Sequence, residues 1–192
     1  MINKDLIEKV LKEYKLSIYG IHGVAHWARV LENGRMLYNE YKNEANIHII
    51  ELFAILHDSK RQNDLRDKDH GKRSADFAAT LQENLFHLSD DDFKLLYEAC
   101  YFHSMNKHTD NKTIQICWDS DRLDLARVLI KPDAKYLFTK KAKETDTISW
   151  ANKRSTMNVK PELIVNEWNI QLKNRAQIRQ TIRRFLAQIF IR

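Results

Sequence analysis

Ten residues, Ile47-His48-Ile49-Ile50-Glu51-Leu52-Phe53-Ala54-Ile55-Leu56, form an almost wholly apolar stretch that runs straight into His57-Asp58. With no Gly or Pro to break it, a run of this length reads as a buried helix rather than a strand. A histidine and an aspartate at its end cost several kcal/mol to bury unless something pairs with them. Neutral imidazole and carboxylate are both ligands for divalent cations, so a metal ion is one such partner. The chain must fold so that this pair is either satisfied or used.

The remaining sequence points to a helical protein around that segment. Four Gly and two Pro in 192 residues leave little turn punctuation. Helical spacing of Leu6, Ile7, Val10, Leu11 and Tyr14 predicts an amphipathic helix over about 3–15. A second is expected over about 22–41, carrying Val24, Trp27, Leu31, Leu37, Tyr38 and Tyr41. Charge without apolar period over 59–69 predicts a loop, and helical spacing returns over 70–86. Ser89 followed by Asp90, Asp91 and Asp92 is a start signal for a helix reaching 102. Another helix is expected over 113–130, stopped by Lys131-Pro132, and then a polar turn or short helix over 140–147.

Beyond Pro161, the residues Ile164, Trp168, Leu172, Ile178, Ile182, Phe185, Leu186 and Ile189 form an apolar stripe. From Trp150 onward nine basic residues face two acidic ones, a net +7 that leaves −1 for the first 149 residues. The expected organisation is a domain over 1–149 and a basic, amphipathic helical extension over 150–192. That extension packs on the domain or forms a homodimer seam. Its charge also suits a polyanion, which makes nucleic acid an alternative partner.

No uncharged stretch approaches the roughly 18 to 20 residues of a membrane span, so no membrane partner is expected. Charges at Lys4, Asp5, Glu8 and Lys9 come too early for a signal peptide. Cys100 and Cys117 sit in apolar surroundings without CxxC spacing and read as buried free thiols. A cytoplasmic location is expected.

Four polar sites interrupt segments that otherwise look buried. In His22-Gly23-Val24-Ala25-His26-Trp27-Ala28-Arg29, His22 and His26 are four apart, on one face of the expected helix, with Arg29 close by. His57-Asp58 is the second site. The third is Cys117-Trp118-Asp119-Ser120-Asp121-Arg122-Leu123-Asp124-Leu125, in which Asp121 and Asp124 are three apart among apolar neighbours. Buried acids without a cation are rare, and Arg122 is one candidate partner. The fourth site is His70 with His103, one opening a helix and the other closing one.

In order these give H…HD…D, and the chain here resembles the HD-domain superfamily of metal-dependent phosphohydrolases. The resemblance covers about residues 20–130 and is carried by the His22–Val30 stretch, the Leu56-His57-Asp58 end of the apolar helix, and Asp119–Leu125. It implies an all-α HD-domain bundle in which His26, His57, Asp58 and Asp121 bind a divalent metal. Of Asp119 and Asp121, the family pattern of Asp directly before Arg-Leu selects Asp121. Some members hold a second metal through two more histidines in the interval where His70 and His103 fall. Those two residues are expected either there or on a substrate phosphate.

Many relatives place an acidic residue three after the HD aspartate, where this chain has Arg61. A cation at that position suits a phosphate oxygen. The general base is then Asp58, Asp64 or His70, and Arg61, Arg122 and Arg29 are the candidate phosphate cations. The ligand set suits Mn, Mg, Fe, Ni or Zn. The expected activity is metal-dependent hydrolysis of a small nucleotide or related phosphate ester. The alternatives are a nucleic-acid phosphodiesterase or binding protein using the basic extension, and a di-iron HD-type oxygenase using His70 and His103.

Overall fold

The computed structural model describes residues 2–105 and 107–172. The apolar segment is a helix throughout, Ile47–Leu56. It is the third of the chain, after α1 (Lys4–Glu13) and α2 (Val24–Tyr38), and is labelled α3. Asn46 starts it by accepting a hydrogen bond from the His48 amide at 2.9 Å. Ile49, Ile50, Leu52, Phe53, Ala54, Ile55 and Leu56 are all buried beneath the neighbouring helices. The helix touches α1, α2, α4 (His70–Leu81), α5 (Asp90–Phe102) and α6 (Lys112–Arg122). Each large apolar side chain buried this way stabilises the fold by about 1.5–3 kcal/mol. Among them α3 holds the bundle in place around His57-Asp58.

Two 3₁₀ turns (Leu125–Val128 and Ala134–Tyr136) and two helices, α7 (Lys140–Lys143) and α8 (Thr145–Thr156), follow. Among the described residues every regular element is helical, apart from one isolated bridge between Gln82 and Phe86. The all-α class expected from the sequence is therefore what the described residues form. No helix of the described residues is long and apolar enough to cross a membrane. Cys100 and Cys117 are free and buried, as their apolar surroundings predicted.

Helix ends differ from expectation where local hydrogen bonds decide them. The second helix begins at Val24, not at His22. Gly20 and Gly23 amides bond to the Ser17 and Gly20 carbonyls, and the Val24 amide to the Ile18 carbonyl, so His22 belongs to a tight turn. The helix expected over 113–130 stops at Arg122, where the Leu123 and Asp124 amides turn back on Asp119 and Asp121. Residues 145–156, read only in part as a polar turn, form α8. The expected start of the extension at residue 150 falls inside that helix.

One compact unit runs from Met1 to Pro161. A second, Glu162–Arg192, contributes a short helix α9 (Leu163–Asn166) to the described residues. Ile178, Ile182, Phe185, Leu186 and Ile189 lie outside the described residues, and with them the expected basic helix and homodimer seam.

Candidate metal centre

The candidate ligands arrive at the centre from the ends or inner faces of five helices, two of them from the end of α3. α2 presents His26. α3 ends at Leu56, and the turn that follows, with Ser59 N bonded to Leu56 O and Arg61 N to Asp58 O, lets adjacent His57 and Asp58 point at one place. α4 opens with His70, α5 is closed by His103, and α6 supplies Asp121. All six are buried. The close approach of α4 to α5 depends on Gly71, where an added Cβ would stand 2.6 Å from the Tyr101 carbonyl oxygen and 2.8 Å from that of Cys100.

The protonation pattern of the four histidines follows from their partners. His57 Nδ1 faces the Phe53 carbonyl at 3.1 Å. His103 Nδ1 faces the Cys100 carbonyl at 2.7 Å. His70 Nδ1 faces the Asp67 carbonyl, and His26 Nδ1 faces Asp124 Oδ2 at 2.8 Å. Carbonyls and carboxylates only accept, so every Nδ1 carries a hydrogen and every neutral ring presents a bare Nε2. Burial pushes the His57 imidazole down to about 3 and His70 down to about 4, which keeps both neutral at ordinary pH.

The bare nitrogens converge in pairs. His26 Nε2 and His57 Nε2 are 3.1 Å apart, a contact between two acceptors that neither ring can satisfy alone. Asp58 Oδ2 lies 3.6 Å from the first and 3.7 Å from the second. Asp121 Oδ1 lies 3.4 and 3.8 Å from the same two atoms. Ligands held at about 2.1 Å from one ion are about 3.0–3.4 Å apart in octahedral or tetrahedral arrangements. The observed spacings sit at and slightly above that range.

Asp121 Oδ1 supplies an independent indication. It is buried with no hydrogen-bond partner, Arg127 Nη2 approaching only to 3.5 Å. A buried carboxylate oxygen left bare is costly, and a bound cation removes the cost. Arg127 and the neighbouring histidines nevertheless hold the Asp121 carboxyl far below the usual range, against the upward push of burial. The groups present therefore fit a cation at His26, His57 and Asp58, with Asp121 Oδ1 within reach of both histidine nitrogens.

A second pair shares the same aspartate. His70 Nε2 and His103 Nε2 are 2.8 Å apart, with Asp58 Oδ1 at 3.3 and 3.6 Å. Asp58 thus turns one oxygen to each histidine pair. Burial opposes protonation of His103, but the Asp58 carboxylate outweighs it and raises the His103 pKa. Both triads, His26-His57-Asp58 and Asp58-His70-His103, have donor atoms close enough to hold a metal ion.

No family model, curated protein or solved structure matches this chain.

The remaining expected residues take different places. Asp124 stands behind the centre, accepting from His26 Nδ1 and from Arg29 Nε at 2.7 Å and Nη2 at 3.0 Å. Arg29 is thereby committed to Asp124, with Nη1 on Asn158 and the Val159 carbonyl, and is not among the residues lining the cleft. Asp119 caps the Phe138 and Thr139 amides, both at 2.8 Å. Arg122 donates to the Tyr136 carbonyl and covers the Phe138 ring, on the cleft wall rather than beside Asp121 or Asp124. Arg127 is the cation that sequence reasoning missed. It sits 3.5 Å from Asp121 and 3.9 Å from Asp124, and its one signal was its place three residues after Asp124. Lys60 pairs with Glu13 and lies over the Phe77 ring, outside the centre.

The centre opens into a cleft of about 910 Å³. Its floor includes His22, Asp58, Arg61, His70, His103 and Asp121, and its walls carry Lys107, Arg122, Arg127, Lys131 and Lys135 with Leu125, Val128 and Phe138. His22 Nδ1 bonds to Asp64 Oδ1 at 3.0 Å, and burial lowers the His22 pKa.

Proposed function

We propose that the chain is a metal-dependent phosphohydrolase of the HD type, acting on a small nucleotide or related phosphate ester. The observation that carries this reading is the juxtaposition of a buried histidine–aspartate centre with a cleft walled by cations. His26, His57, Asp58 and Asp121 would hold a divalent ion, which would supply Lewis acidity and lower the pKa of a bound water. Arg61 and Arg127 flank that floor, where guanidinium groups bind phosphoryl oxygens through charge-assisted hydrogen bonds. Leu125, Val128 and Phe138 offer an apolar wall to the organic part of the substrate and exclude water from it.

Arg61 stands where a general base is often found, so the base must be another group. His22 meets the requirements. Its Nδ1 hydrogen is fixed on Asp64, burial disfavours its charged form, and the residue lines the cleft, which leaves Nε2 as the ring's proton acceptor. In this reading Asp64 is a positioning residue for His22.

The test is phosphate release from a panel of nucleoside mono-, di- and triphosphates and cyclic nucleotides, using chelator-treated protein reloaded with Mn²⁺. Activity is expected to require metal and to vanish in His57→Ala and Asp58→Ala. Retention of metal content and activity by either variant overturns the proposal.

A second reading, a di-iron HD-type oxygenase, has the two-sided use of Asp58 in its favour. Iron content with oxygen uptake on an organic substrate selects it. Metal-dependent phosphate release without oxygen removes it.

A further inference from the structure

Arg61 is buried with its guanidinium inserted into the second histidine cluster. Nη1 lies 3.3 Å from Asp58 Oδ1 and 3.2 Å from His70 Nε2. The other face of the fork is held by the loop that follows: Nη2 donates to the Leu65 carbonyl at 2.9 Å and Nε to the Asn63 carbonyl at 3.4 Å. That loop is itself tied down. The Gln62 amide bonds to Asp67 Oδ2, the Leu65 amide to Asn63 Oδ1, and Asp67 to Arg73.

A neutral imidazole has one lone pair on Nε2. With the His70 Nδ1 hydrogen on the Asp67 carbonyl, that lone pair is the only acceptor the ring offers the cluster, and it meets the Arg61 Nη1 donor at 3.2 Å as well as His103 Nε2 at 2.8 Å. The same Nη1 occupies the side of Asp58 Oδ1 that faces His70. A metal ion on Asp58, His70 and His103 needs both of these acceptors. Nothing comparable happens at the first cluster. The nearest guanidinium nitrogen there, Arg127 Nη2, makes no hydrogen bond to Asp121 Oδ1, and the His26 and His57 lone pairs face only each other and the carboxylates.

We propose that Arg61 is a resident cation of the second cluster, competing with a second metal ion for His70 Nε2 and Asp58 Oδ1. The two are alternative occupants, so the chain holds one metal tightly and admits another only when the guanidinium leaves. The fixed charge of Arg61 also offsets the half of Asp58 that the first metal does not neutralise. The inference rests on the metal reading of the same centre.

Chelator-treated protein titrated with Mn²⁺, followed by calorimetry and electron paramagnetic resonance, tests it without reference to activity. The full-length wild type is expected to bind one Mn²⁺ with the hyperfine pattern of an isolated ion. A second ion is expected to bind at least about 10-fold more weakly, in line with usual coupling between competing occupants. In Arg61→Met, which keeps side-chain length and loses the charge, the second affinity rises by about 10-fold or more and the spectrum becomes that of an exchange-coupled pair. Arg61→Lys keeps a charge but loses the fork joining Asp58 to the Leu65 carbonyl. Its second affinity is expected between the two, and it decides the matter if Arg61→Met does not fold.

Two equally tight, coupled ions in the wild type overturn the inference while leaving the metal centre standing. So does an Arg61→Met or Arg61→Lys protein with unchanged second affinity. Absence of Mn²⁺ binding in every variant removes the metal reading itself.

Discussion

Asp124 accepts the hydrogen of His26 Nδ1 at 2.8 Å, and this bond fixes which nitrogen of His26 points at the candidate metal centre. The carboxylate is buried, and Arg29 grips both its oxygens. Burial works to raise its pKa, but the bonds from His26 and Arg29 prevail and keep it ionised. Asp124→Asn keeps an acceptor for His26 but removes the charge that makes the ring a stronger ligand. Calorimetric titration of the variant is expected to show metal affinity lowered about 10–100-fold. Stability should fall by about 3 kcal/mol, because Arg29 is left buried against a neutral amide. Wild-type affinity in a folded Asp124→Asn protein defeats the assignment.

Asp121 Oδ1 predicts how the fold responds to metal. It is buried without a hydrogen bond, so a bound cation adds an interaction that the metal-free fold lacks. A ligand that binds only the folded chain stabilises it by about 2.7 kcal/mol at one hundred times its dissociation constant. Thermal denaturation with and without excess Mn²⁺ should show a shift of that size in the wild type. In Asp121→Ala the metal-induced shift should be largely lost. An equal shift in both proteins places the ion elsewhere.

The readable part of this protein was the part with a local cause. Ser89 and the acids after it start α5, and the unbroken apolar run forms α3, because capping and burial act within a few residues. His26, His57, Asp58 and Asp121 each stand out as a polar residue in an otherwise buried segment, but grouping the four, and choosing Asp121 over Asp119, rests on the family resemblance. Arg127 does not stand out, since its value comes from a turn after α6 that brings it back toward Asp121. Spacing at i and i+4 puts His22 on a helix because it ignores Gly23, whose added Cβ would meet the Ile18 carbonyl oxygen at 2.2 Å. The meeting of His70 with His103 depends on a helix contact between residues thirty-three positions apart, which no local pattern announces.

Gly71 is the residue that permits that meeting. An alanine there has no room between the backbones of α4 and α5, and neither carbonyl it strikes can yield without moving the end of α5 that carries His103. Gly71→Ala is expected to cost about 1–3 kcal/mol in denaturant unfolding, as overpacking usually does. The first cluster draws its ligands from α2, the turn after α3, and α6, so one Mn²⁺ should still bind. If the variant is as stable as the wild type, the close approach is not a constraint.

Lys60 should behave as a structural cation. Its Nζ lies 2.9 Å from Glu13 Oε2, and Lys9 reaches the other oxygen at 3.1 Å. The hydrogen bonds from Lys60, then Lys9, lower the Glu13 carboxyl to about 2 from its ordinary value of 4.5. A depressed carboxyl contributes stability that is present above the unfolded pKa and fades as pH falls from 4.5 toward 2. The pair is at the surface, so the effect is small and salt-sensitive. Nuclear magnetic resonance titration should place Glu13 well below its ordinary value in the wild type and return it upward in Lys60→Met. A Glu13 that titrates normally in the wild type rules the contact out in solution.

Asp119, one of two aspartates before Arg122, caps the cleft wall. Its oxygens accept from the Phe138 and Thr139 amides and from the Thr139 hydroxyl at 2.7 Å, and burial raises its pKa. Those bonds hold the segment that carries Leu137 and Phe138 against Trp118, the two aromatic rings lying 5.6 Å apart. Asp119→Ala strands two amide donors, one of them fully buried, and each unsatisfied donor costs about 1–3 kcal/mol. Because Phe138 and the neighbouring Tyr136 line the cleft while the metal donors come from elsewhere, the variant should separate two functions. Mn²⁺ affinity should stay within about threefold of wild type, a coupling of under 1 kcal/mol. Substrate KM, measured on whichever phosphate ester the panel selects, should rise at least about tenfold through loss of the wall. Loss of metal binding in a folded Asp119→Ala protein would instead make Asp119 a ligand.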